Sequence, residues 1–70
     1  MKTLYVTTRP DSINAQSRIV VLSNHDDGER LTPALARTAV RVAHGHDYCT
    51  AVVSDTKRAY RVTPHSTRLC

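Results

Sequence analysis

The sequence predicts a small α+β domain: a four-stranded, mostly antiparallel sheet with one helix on one face, in the order ββαββ. Three observations carry this. One stretch, residues 32–46, has helical periodicity and both of its ends specified. Two segments before it and two after it are short, rich in β-branched residues and bounded by turn formers. The chain of 70 residues makes one domain, 1–70, near the lower size at which a protein buries enough apolar surface to fold without staples. With no Phe, no Trp and three Tyr, the core has to come from Val, Leu, Ile and Ala. Each large side chain contributes roughly 1.5–3 kcal/mol when fully buried.

Residues 2–9 alternate, with Leu4 and Val6 on one side and Thr3, Tyr5, Thr7 and Arg9 on the other, and read as the first strand. Pro10, Asp11 and Ser12 end it, and Ile13 is the one apolar anchor of the loop that follows. Residues 18–23, RIVVLS, form a continuous β-branched run too short for a helix, which predicts a central strand covered on much of both faces. A polar loop, NHDDGER, comes next; its Gly28 is free to take positive φ, and Leu31 precedes the helix as a hydrophobic staple.

In the helix, Leu35, Ala36, Ala39, Val40, Val42 and Ala43 fall in an arc of about 160°, opposite Arg37, Thr38, Arg41 and His44. Thr32 is the N-cap, Pro33 takes the first helical position, and Gly45 follows the cation-capable His44 where a left-handed residue is wanted. The chain then turns through His46 and Asp47 into a hairpin of residues 48–54 and 58–63, in which Tyr60 and Val62 share the buried face. The tail after Pro64 has no periodicity and is expected to fray unless Leu69 docks.

No apolar run approaches the roughly 20 residues of a membrane span, and the N-terminal segment lacks the apolar stretch of a signal peptide, so a cytoplasmic protein is expected. Cys49 and Cys70 are too few for a disulfide framework. His44, His46 and Cys49, with His65 and Cys70 downstream, do not have zinc-ligand spacing, and the acidic loop around Gly28 lacks the alternating ligands of a calcium loop. No metal or other cofactor is expected. Cys49 and His46 also lack the orienting group and the cleft that nucleophilic catalysis requires, so no enzyme is expected. A small ribonuclease toxin using Arg and His is the distant enzymatic alternative.

The formal net charge of +4 favours anionic partners. Arg37 and Arg41, one turn apart on the exposed helix face, and Lys57, Arg58 and Arg61 at the second hairpin are the expected partner-binding residues. The competing patch is the acidic loop of Asp26, Asp27 and Glu29, on the approach to the helix N-terminus. Aromatic residues are too few for a platform that stacks single-stranded nucleic acid.

Three stretches carry a family resemblance: the opening MKTLYVTT, the Ala- and Arg-rich LARTAVRVAH, and the closing TAVVSDTKRAYRV with its Lys-Arg turn and Tyr. In this element order the chain resembles the small phage-encoded anti-CRISPR proteins that block type I surveillance complexes, particularly the short ββαββ inhibitors of the type I-F system. The resemblance implies a non-enzymatic protein, phage or mobile-element encoded, that acts in the host cytoplasm. It implies docking on a Cas subunit that obstructs target DNA or a nuclease, by a monomer or a homodimer. It assigns no residue roles. The net charge of +4 departs from the acidic DNA-mimic pattern of some of these inhibitors. A small basic nucleic-acid-binding protein is the alternative reading.

Overall fold

The computed structural model describes residues 1–45 and 48–70. Its elements in chain order are β1 (Lys2–Thr8), β2 (Gln16–Leu22), α1 (Pro33–His44), β3 (Ala51–Ser54), β4 (Ala59–Val62) and β5 (Thr67–Leu69). All five strands form one antiparallel sheet in the order β2-β1-β3-β4-β5, with α1 across one face. The fifth strand corrects the expected four. The tail forms no hydrophobic plug, and Leu69 stays exposed; β5 is held by its backbone ladder to β4, through a turn in which Thr63 accepts from the Ser66 amide. A strand held by main-chain pairing leaves no hydropathy pattern to read.

Opposed residues of an antiparallel ladder share a face, so the register defines two sides of the sheet. Leu4, Val6, Val20, Ala51, Val53, Tyr60 and Val62 point at the helix and meet Leu31, Leu35, Ala36, Ala39, Val40 and Ala43 in the core. The small residues on α1 let it lie close to the sheet. Its N-cap is the expected one, with Thr32 Oγ1 accepting from the Leu35 amide at 3.2 Å and Pro33 opening the helix. Val42, expected in the buried arc, is instead exposed. It lies at the margin of that arc, where the sheet no longer covers the helix.

At the other end Gly45 has φ 67° and ψ −140°, a positive-φ region open essentially to glycine, and its amide bonds to the Arg41 carbonyl at 2.9 Å. The cation at this helix end is not His44. Burial, and then the neighbouring Arg18 charge, hold the His44 pKa below its ordinary value, while the Arg18 guanidinium donates to the Ala43 carbonyl at 2.8 Å. A residue of β2 thus answers the helix dipole.

The open face carries Thr3, Tyr5 and Thr7 from β1, Ser17, Ile19 and Val21 from β2, Val52 and Ser54 from β3, and Arg61 and Arg68 from β4 and β5. β2 is an edge strand, which corrects the central position expected for RIVVLS. An apolar run signals two coverable faces; whether a strand is flanked by neighbours is a separate matter, decided by pairing. No second layer covers the open face among the described residues, so Ile19 and Val21 remain exposed. Ile13, expected to anchor the first loop, is fully exposed, and Gly28 does not use positive φ.

Lys2, the first residue of β1, is 1 % exposed. Its ammonium donates to the Asp27 and Glu29 carbonyls and pairs with Asp55 Oδ2 at 3.2 Å, fastening the acidic loop and the β3–β4 turn to the sheet. Asp55 Oδ1 in turn accepts from the Lys57 and Arg58 amides at 2.8 and 2.7 Å. Burial acts to raise the Asp55 pKa, but these two amides and the Lys2 ammonium outweigh it and hold the carboxyl below its ordinary value.

Candidate functional site

The five cations expected to bind a partner do not form one patch. Lys57 and Arg58 lie at the β3–β4 turn, where they share a depression with Asp27, Glu29, Arg30 and Asp55. The basic hairpin tip and the acidic loop, which the sequence presents as rivals, are therefore neighbours. Four cations (Lys2, Arg30, Lys57, Arg58) meet four carboxylates (Asp26, Asp27, Glu29, Asp55) at this end, and its formal charge is zero. His25 adds a 2.7 Å contact to Glu29 that tightens the loop further. The surplus of +4 is what the other six arginines of the chain leave after Asp11 and Asp47 are set against them.

Four of those arginines, Arg9, Arg37, Arg41 and Arg61, surround the segment 48–50, at the opposite end of the sheet. The α1 C-terminus, the start of β3, the end of β4 and the β1–β2 turn converge there. Three adjoining depressions meet on this segment. The largest, an open cleft of about 510 Å³, is lined by Thr8, Arg9, Asn14, Gln16, His44, Tyr48 and Cys49. A second holds Arg37 and Arg41 beside Tyr48, Thr63 and Pro64; Arg37 reaches Thr67 Oγ1 of β5 at 3.3 Å. The third places Arg9 and Arg61 on either side of Cys49, Thr50 and Asp11. Arg61 has Asp11 as its ion-pair partner at 3.7 Å, between two exposed side chains where such a pair is worth well under 1 kcal/mol. Arg61 is accordingly free to re-pair with an incoming anion. Arg68 lies opposite Arg61 in the ladder and extends the charge along the open face.

Backbone geometry sets Arg9 in place. It stands where β1 stops, at φ 52°, an uncommon value for a residue with a Cβ, and its amide is tied to the Thr50 carbonyl at 3.0 Å. Arg9, Arg68 and Tyr48 were not singled out from the sequence. The only signal for Arg9 was its place before Pro10, and Arg68 sat in a segment without periodicity.

His44 is half-buried in the largest cleft, and its Nε2 has no hydrogen-bond partner among the described residues. With its pKa lowered, the imidazole is neutral at pH 7 and offers one donor and one acceptor. His44 is also the histidine that shares this cleft with Cys49; His46, which the sequence places in the turn and in the cysteine–histidine and metal groupings, and Asp47, in the same turn, lie outside the described residues. A chain of 70 residues has little room for a cleft, and this one is open to solvent on one side. Its lining is polar, unlike the mainly apolar pockets that enclose small ligands.

The chain matches no protein-family model, no curated protein and no solved structure.

No group of three or more His, Cys, Asp or Glu side chains is placed to hold a metal among the described residues, and both cysteines are exposed free thiols. The double substitution Cys49→Ser, Cys70→Ser is therefore expected to leave the melting temperature within a few degrees of wild type. Elemental analysis of purified protein is expected to find no stoichiometric zinc; one zinc per chain would show that ligands are assembled differently. No helix is long and apolar enough to cross a membrane among the described residues.

Proposed function

We propose that the protein is a non-enzymatic interaction protein whose arginine-bearing end docks on an anionic surface of a host protein complex. The resemblance to type I anti-CRISPR inhibitors makes the partner a Cas subunit of a surveillance complex, and the outcome a block to target-DNA binding or nuclease recruitment. One observation carries the docking surface: charge balances at the acidic-loop end, so the +4 surplus is what the other six arginines leave after Asp11 and Asp47, and Arg9, Arg37, Arg41 and Arg61 frame three joined depressions. Arginines on rigid elements are favoured interface anchors, because a planar fork pairs with carboxylates and loses little freedom in doing so.

Charge reversal tests this directly. Arg41→Glu with Arg61→Glu is expected to lower affinity for the surveillance complex at least a hundredfold while circular dichroism stays native, since both side chains are exposed. Lys57→Glu and the loop pair Asp26→Lys, Asp27→Lys are expected to bind within a fewfold of wild type. Loss of binding on reversing the loop, with none on reversing the arginines, would move the interface to the acidic end.

The same arginine surplus favours a second reading, contact with nucleic-acid phosphate. Salt distinguishes the two. Phosphate binding releases counterions and weakens steeply with salt in proportion to the phosphates neutralised, whereas a packed protein interface responds less. A steep linear fall of log affinity for duplex DNA with log salt, and no binding to the protein complex, would establish this second reading.

A further inference from the structure

We infer that two copies of this chain pair through the free edge of β2, joining their sheets into one of ten strands. The inference is independent of the arginine-bearing end. It starts from which backbone groups of β2 are unused. The Arg9 amide donates to the Thr50 carbonyl, in the same register as Tyr5 with Ser54 and Thr7 with Val52, so the odd residues of β1 bond toward β3. Its even residues therefore bond toward β2, occupying Gln16, Arg18, Val20 and Leu22. Ser17, Ile19 and Val21 are left with their N–H and C=O groups directed at the edge.

This edge lacks the usual protections. β2 is seven residues long, pairs with β1 without a bulge, and contains no Pro or Lys. Its one charged residue, Arg18, is turned to the helix side and held by the Ala43 carbonyl. The residues aimed outward are uncharged, and Ile19 and Val21 are 66 % and 51 % exposed on the open face. On the helix layer, Arg37 contacts β5 and so marks the flank of α1 toward that edge. Val42, 64 % exposed, lies about 140° around the helix from Arg37, on the flank toward β2. Apolar side chains thus border the free edge in both layers.

A second copy is the occupant that these features fit. An antiparallel two-fold centred on Ile19 places Ile19 against the partner's Ile19 and Ser17 against the partner's Val21, and uses all three outward-facing residues of each strand. Any other centre within β2 uses fewer. The arginines of the open face, Arg61 and Arg68, lie on β4 and β5 on the far side of the sheet, and Arg18 is drawn to the helix layer, so on the open face two copies of net charge +4 meet along an uncharged line.

Sedimentation equilibrium of the full chain from 5 to 500 μM is the first test. The expected mass rises to twice that of the chain, and Ile19→Lys, which sets two like charges against each other on the axis, is expected to weaken dimerisation at least fiftyfold with native circular dichroism. Val21→Pro removes an outward amide that the monomer does not use and is expected to act the same way. Register is tested by cysteine pairing in a Cys49→Ser, Cys70→Ser background. Ile19→Cys is expected to oxidise to a disulfide-linked dimer, because directly opposed residues lie about 5.5 Å apart at Cα. Val21→Cys, four residues out of register with its symmetry mate, is expected not to. A wild-type chain that stays monomeric throughout, a dimer indifferent to both edge variants, or equal cross-linking at 19 and 21 would each overturn the inference.

Discussion

Val40→Asp is expected to unfold the domain. Val40 is fully buried on the core side of α1, among Leu4, Val6, Val53 and Val62, and no cation is available in that cluster to pair with a carboxylate. An unpaired carboxylate at such a site costs several kcal/mol even if it takes up a proton, and the lost packing adds to this. A domain of this size has a total stability of roughly 4–10 kcal/mol at the usual 0.05–0.15 kcal/mol per residue, so most of it is consumed. Far-ultraviolet circular dichroism and a thermal melt decide the matter. A variant that keeps a native spectrum and melting temperature would show that α1 does not lie on the sheet as described. The exposed neighbour Val42→Asp is the control, expected to fold.

Asp55→Ala is the second large effect, expected to cost about 3 kcal/mol, the lower end of the range for removing one partner of a buried ion pair, because Asp55 is half-buried while the Lys2 ammonium it pairs is buried. It strands the Lys2 ammonium, 1 % exposed, with two carbonyls and no anion, and it takes the acceptor from the Lys57 and Arg58 amides. Asp55→Asn keeps an acceptor oxygen for the turn and is expected to lose less. Equal urea midpoints for wild type and Asp55→Ala would show that the pair contributes nothing. The same carboxylate gives a pH dependence with a definite sign. Its folded pKa is depressed, so the unfolded chain binds its proton more readily. The stabilisation is fully present above the unfolded pKa of about 4 and is lost as pH falls from there through the lower folded value. Asp55→Asn should flatten stability in that window.

For function, these two residues matter because they fix the end of the molecule that carries no net charge. Lys2 and Asp55 clamp the acidic loop against the basic turn, and this neutralises a surface that the sequence offers as two separate candidates. The end proposed to dock on a partner is the one this clamp leaves with a surplus of charge.

The helix was legible in the sequence because its signals are local. The Thr32 cap, Pro33, the positive φ of Gly45 and the period of Leu35, Ala36, Ala39, Val40 and Ala43 are all set within one turn or along one face. The alternation of β1 and of Tyr60 with Val62 was legible for the same reason: a strand with one buried face writes its period into the chain. The α+β class follows from these. Strand order was decided only by the tertiary structure, since nothing in RIVVLS says which side of it is paired, and a two-sided apolar run belongs equally to a central strand or to an uncovered edge. β5 escaped notice because main-chain hydrogen bonds hold it. The site was decided last. Arg9 and Arg61 lie 52 positions apart and meet because the end of β1 and the last part of β4 flank the start of β3; Lys57, four residues from Arg61, is carried to the opposite end by the direction of one short strand. Charge along a sequence is a list of residues; which charges act together is fixed by the pairing of strands.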